Sequence, residues 1–95
     1  AFISCNKVTA IPTFKVSDIA GGWTVMDAAL VIDNDGNLIY NFKKYKIPEA
    51  DWNSEKTEYT IKGEEVGLSG ASITFKSATS GTATSANGTT KIKKQ

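Results

Sequence analysis

Leu30-Val31-Ile32-Asp33-Asn34-Asp35-Gly36-Asn37-Leu38-Ile39-Tyr40 decides the fold of this chain. An apolar run stops at five residues that favour turns and tolerate positive φ, and a second apolar run follows at once. Leu38, Tyr40 and Phe42 recur with period two and face Leu30 and Ile32 across the turn, which predicts a β-hairpin with one buried face. The same alternation returns further along. Tyr59 and Ile61 alternate with Thr60 and Lys62, and Ala71, Ile73 and Phe75 alternate with Ser72, Thr74 and Lys76. Thr90 and Ile92 alternate with Lys91 and Lys93 after an Asn87-Gly88 turn signal. Period-two segments of this length, separated by turns, predict an all-β fold.

Working outward, Trp23 to Ile32 reads as a long strand, with Ala28 and Ala29 leaving its middle open to a bend or a short helix. Ser17-Asp18 predicts one helical turn, stopped by Gly21-Gly22. Residues 43–56 are the least regular part and predict a long loop with one helical turn at Glu49 to Asn53. The predicted core is Trp23, Leu30, Ile32, Leu38, Tyr40, Phe42, Tyr59, Ile61, Ile73 and Phe75.

Composition narrows the function. The chain has 95 residues, one domain's worth, near the lower end of what buries a self-sufficient core. Eleven basic residues, all of them Lys, face ten acidic ones. That near-balance, without any Arg for bidentate phosphate or base contacts, argues against a nucleic-acid partner. There is no His and one Cys. A Ser-His-Asp or Cys-His arrangement therefore cannot form within the chain, nor an intrachain disulfide. No cofactor is expected. No apolar stretch is long enough for a membrane-spanning helix, so a membrane role would run through a lipid anchor only.

The opening, Ala1-Phe2-Ile3-Ser4-Cys5, resembles the lipobox of bacterial lipoproteins, in which the Cys is acylated. The resemblance implies that Cys5 is the lipidation site and Ala1 to Ser4 the tail of a signal peptide. The alternative is an apolar first strand with Cys5 as a small buried residue. Two parts are expected: residues 1–20, an extended N-terminal segment with the lipobox, and residues 21–95, the β domain.

Gly21-Gly22-Trp23, then the Leu30–Tyr40 hairpin, Tyr59-Thr60-Ile61-Lys62-Gly63, Ile73-Thr74-Phe75-Lys76-Ser77 and Asn87-Gly88-Thr89-Thr90-Lys91-Ile92-Lys93-Lys94 follow an order that resembles small lipocalin-like bacterial lipoproteins. That resemblance implies an antiparallel up-and-down meander forming a barrel or partly open barrel of seven to eight strands, with Trp23 plugging one end. The alternative is a small β-sandwich. It implies a non-enzymatic, exported domain of the bacterial cell envelope or the extracellular space that binds a small apolar ligand or a protein partner. A second reading is a structural or assembly subunit that exchanges strands through its N-terminal segment.

Several candidate sites compete with plainer readings. Asp33 and Asp35, with Asn34 and Asn37, offer oxygen ligands for Ca²⁺, but Gly36 stands at the fourth position of the loop and not the sixth, as an EF-hand needs. A hairpin turn explains them more simply. Glu64, Glu65 and Asp51 are the acids for a hydrolytic pair, yet adjacent residues of a strand point to opposite faces. Asn87-Gly88-Thr89 matches a glycosylation sequon, which matters only in a eukaryotic secretory host. Lys43, Lys44 and Lys46 read as charges guarding a sheet edge. Trp52 and Tyr45, in the irregular segment, are the candidate ligand-binding residues, with Tyr40 beside them.

Overall fold

A computed structural model describes residues 12–95 of the chain. The fold is all-β. β1 (Phe14–Lys15) leads into a 3-10 turn (Val16–Ile19), then come β2 (Gly21–Val25), β3 (Ala28–Ile32), β4 (Asn37–Tyr40) and β5 (Lys43–Lys46). A single helical turn, α1 (Glu49–Trp52), and β6 (Glu55–Lys56) connect to β7 (Tyr59–Lys62). A second 3-10 turn (Gly63–Val66) precedes β8 (Ser72–Phe75), β9 (Ser80–Ser85) and β10 (Gly88–Lys93). β2-β3-β4-β5 and β7-β8-β9-β10 are two antiparallel meanders, and β1 pairs with β6 in a two-stranded ribbon.

The deciding hairpin forms as its alternation requires. Leu30 lies opposite Tyr40 and Ile32 opposite Leu38, and all four are buried. Val31 and Ile39 pair on the other face, 45% and 41% exposed. Across the core, Ile61, Ile73, Phe75, Ala83 and Ile92 are buried on the second meander. Trp23 and Phe75 meet edge to face at the centre, ring centroids 4.9 Å apart. Gly81 is required where it stands opposite Phe75: a Cβ there would lie 2.2 Å from the Thr74 carbonyl oxygen.

No closed barrel is seen. The meanders join along one seam only, where Trp23 of β2 forms an isolated bridge to Lys94 and the Gln95 N–H donates to the Gly22 carbonyl at 2.8 Å. The sandwich alternative fits this arrangement. The physical reason is length. Strands of four to six residues in the meanders, with α1 and β6 inserted between β5 and β7, leave too little pairing edge to zip the second seam.

Two further expectations change. The predicted long strand Trp23–Ile32 is a hairpin, turning at Met26 (φ 51°) and Asp27 (φ 66°). Phe42, placed in the core by its spacing, is 101% exposed in the next two-residue turn, where Asn41 (φ 53°) and Phe42 (φ 67°) reverse the chain. Both have the left-handed central pair of a type I′ turn, which Asn-Gly or Asp-Gly usually announces. Without Gly, neither turn carries the expected signal. Lys43–Lys46, expected as loop, is consequently β5. The 3-10 turn after Lys15 matches the turn expected at Ser17-Asp18, and α1 matches the turn expected after Pro48. Residues 14–19, expected in the extended segment, contribute Phe14, Val16 and Ile19 to the core.

Candidate functional site

Two of the sheet's hairpin turns, Met26-Asp27 and Asn41-Phe42, lie at one end of the first meander, because its strands alternate in direction. The Asp33–Gly36 turn lies at the other. This second end is closed by the 3-10 turn Val16–Ile19, by α1 and by the β1–β6 ribbon. The Trp23 indole N–H donates to the Ile19 carbonyl at 2.8 Å, which ties the 3-10 turn to the core. The Val16 N–H donates to the Ser54 carbonyl at 2.9 Å and holds the ribbon against α1.

Trp52 and Tyr45 are both at this closed end, half-buried and packed against the core. The indole of Trp52 rests on Gly36: a Cβ built there would lie 3.3 Å from the ring. Lys46 reaches the same turn and donates to the Asp35 carbonyl. Tyr45, opposite Leu38, turns inward, and burial raises its hydroxyl pKa, with the charges of Glu65 and Asp51 adding to the rise. Beside it the Tyr59 hydroxyl donates to Asp51 Oδ2 at 3.1 Å. Burial, then the Asp51 charge, pushes the Tyr59 pKa far up, so this proton stays in place. Tyr40 is committed to packing, its hydroxyl donating to the Val25 carbonyl at 2.9 Å. Trp52, Tyr45 and Tyr59 thus form a seal at the closed end, with Trp52 as its outer tile, whereas Tyr40 packs at the opposite end.

Asp33 is the organiser of its turn. Oδ1 accepts the N–H groups of Asp35 and Asn37, both at 2.9 Å, and Oδ2 accepts from Asn37 Nδ2 at 3.0 Å. The Asn37 backbone and side-chain donors hold its pKa below the usual carboxylate value. Both oxygens are therefore engaged by the chain itself, which is what a turn needs and leaves Asp35 the freer acid of the weak metal candidates. Among the described residues no group of three or more acidic or Cys side chains gathers to hold a metal. Glu64 and Glu65 fall on a 3-10 turn and not a strand, and both are exposed. Cys5 lies outside the described residues.

The sequence reading did not anticipate the β2–β10 seam. From the bridge at Trp23 and Lys94 the two strands diverge toward the open end. A groove of about 870 Å³ runs along the seam beside Thr24, lined by Lys76, Lys91, Lys93, Lys94 and Ser80 to Thr82; Lys76 is paired with Glu58 at 3.3 Å and Lys94 donates to the Asp18 carbonyl. A second hollow of about 300 Å³ continues it between Met26 and Thr89. β10 ends its sheet, and the hairpin register to β9 turns the backbone N–H and C=O groups of Thr89 and Lys91 away from that partner, toward the gap. The legible signal was the run of Lys at alternate positions of the last strand, which marks an edge. The gap itself depends on how two distant strands meet. Compared with known proteins, the chain matches no family model, no curated protein and no solved structure.

Proposed function

We propose that this chain is a non-enzymatic domain of the cell exterior that binds a protein partner at the β2–β10 seam. The observation that carries this reading is the contrast between a filled interior and an open, cationic edge. No polar or charged residue is buried among the described residues, and the core is closed by Trp23, Phe75 and the aromatic seal. The seam, by contrast, combines outward-facing backbone groups on β10 with Lys91 and Lys93, while Lys76 pairs with Glu58 and Lys94 donates to the Asp18 carbonyl. An extended segment bearing Asp or Glu suits both: its main chain adds to the edge and its carboxylates meet the ammonium groups. A small apolar ligand has less to recommend it, since Trp52 is already occupied by Gly36. Export to a bacterial envelope, with Cys5 acylated, is part of the proposal and rests on Phe2-Ile3-Ser4-Cys5 and on the lipocalin-like order of motifs.

The second reading, an assembly subunit, draws on the same free edge, with another copy of the chain as the donor of the strand. A photo-crosslinking side chain at Lys91, with Lys62 on β7 as control, tests both in the native cell. A discrete protein adduct from position 91 alone supports partner binding. An adduct of twice the chain's mass supports assembly. Equal labelling at both positions, or none, removes the seam from consideration. Intact mass of the native protein tests acylation separately.

A further inference from the structure

The β2–β10 seam is a wedge, shut at one end and open at the other. At the shut end Trp23 bridges to Lys94, and the Gln95 N–H donates to the Gly22 carbonyl. At the open end β2 has reached its turn at Met26-Asp27, β10 begins at Gly88, and no ladder joins the two strands. The Lys94 N–H donates to the Thr79 carbonyl at 2.9 Å. By the alternation of the ladder, β9 therefore takes the backbone groups of Thr90 and Ile92, and those of Thr89 and Lys91 face the wedge. Thr90 lies on the inward face of β10, opposite the buried Ala83, yet it is exposed, so the inner face of the sheet is uncovered here. The hollow of about 300 Å³ bounded by Met26, Ala83 and Thr90 is the space this leaves. Charge also runs along the wedge in one sense. Asp27 stands at the mouth, whereas Lys91 and Lys93, which pair with no acid among the described residues, stand toward the shut end.

From this shape and polarity we infer that the partner bound at the seam inserts its extended C-terminal tail, free carboxylate leading, parallel to β10. The inference rests on the seam reading above and narrows it to one kind of segment. Three features select a chain end. The bridge between Trp23 and Lys94 stands in the path of a strand that continues, whereas a strand that stops needs no turn there. β10 offers the wedge only the backbone groups of Thr89 and Lys91, a ladder as short as a tail. A carboxylate at the leading end comes to rest beside Lys91 and Lys93, where an α-amino group would meet like charge. Asp27 at the mouth selects neutral or basic residues in the part of the tail that follows outward. Paired residues of neighbouring strands point to the same face. The tail residue beside Thr90 therefore points into the hollow, and with Met26 and Ala83 in the lining an apolar side chain suits it.

The test presents the full chain with two displayed libraries of random short peptides, one ending in a free carboxylate and one flanked on both sides by Gly-Ser linkers. Selection is expected from the first library alone, with an apolar residue recurring near the end. A selected peptide remade as its C-terminal amide should bind about tenfold more weakly. K91E/K93E should weaken the free acid by a similar factor and leave the amide unchanged, since both changes remove the same contact. K91P deletes the N–H that faces the wedge and spares the ladder to β9, so it should abolish binding while the circular dichroism stays that of the parent. Equal selection from the flanked library, with binding still lost in K91E/K93E, overturns the chain end and keeps the seam as the binding edge. Selected peptides that bind K91E/K93E and K91P like the parent overturn the seam and this inference with it. A free-carboxylate library that yields no peptide overturns the chain end as well.

Discussion

The two ends of the first meander are built on opposite plans. At the closed end, the Asp33–Gly36 turn is polar and internally satisfied: Asp33 accepts three hydrogen bonds, Gly36 takes the positive φ of 86°, and Trp52 covers the glycine. At the open end, Met26-Asp27 and Asn41-Phe42 make tighter turns without glycine and leave an apolar side chain in water. One end optimises the folded chain, whereas the other carries a cost the fold does not recover. An internally satisfied turn and two strained ones are thus separated along one short sheet, with the buried Leu30, Ile32, Leu38 and Tyr40 between them.

The largest expected effect that tests this contrast is at the closed end. Trp52→Ala should destabilise by roughly 1–3 kcal/mol, less than for a fully buried Trp, because the ring is only half-buried. Urea unfolding measures it, and an unchanged midpoint would show that the seal does not hold the end together. Gly36→Ala should cost about 1–2 kcal/mol, since the left-handed backbone disfavours a Cβ that must also meet the indole. Thermal melting of the single variant checks this, and combining it with Trp52→Ala should give less than the sum, because the two residues share one contact.

Acid provides a gentler probe of the same turn. The Asp33 pKa is lowered below its ordinary value of 3.8 in the folded state. Its contribution is therefore present above the unfolded pKa and is lost as pH falls through the folded one. Asp33→Asn should melt below the parent at neutral pH, and the difference should shrink as pH drops below about 4. A difference that stays constant down to the acid transition would remove the carboxylate from its organising role. The smallest effect is at the open end and has the opposite sign. Phe42→Gly should raise stability by up to about 1 kcal/mol, and a lower melting temperature would show that the ring supports the fold after all.

Much of this was legible in advance, and the misses share a cause. Alternating residues gave the correct inward faces for β3, β4, β7 and β8, and Asp33-Asn34-Asp35-Gly36-Asn37 marked its own turn by residue type. Phe42 is the exception. Its period-two spacing from Leu38 and Tyr40 is that of a core residue, but the chain reverses one residue earlier, and nothing local distinguishes Asn41-Phe42 from continued strand. The Met26-Asp27 turn was hidden in the same way. Trp52 stands out in the sequence as an aromatic of the least regular segment, while its position on Gly36 depends on residues sixteen apart in sequence folding onto each other.

The sequence by itself determined the all-β class and the inner faces of the strands, because side-chain period is a local property. Only the tertiary structure decided that the meanders join at one seam and do not close, that Trp52 seals one end, and that Phe42 stands in solvent at the other. Those outcomes depend on where distant strands meet and on which turns the chain adopts despite their residues, and both are settled by the packing of the whole core.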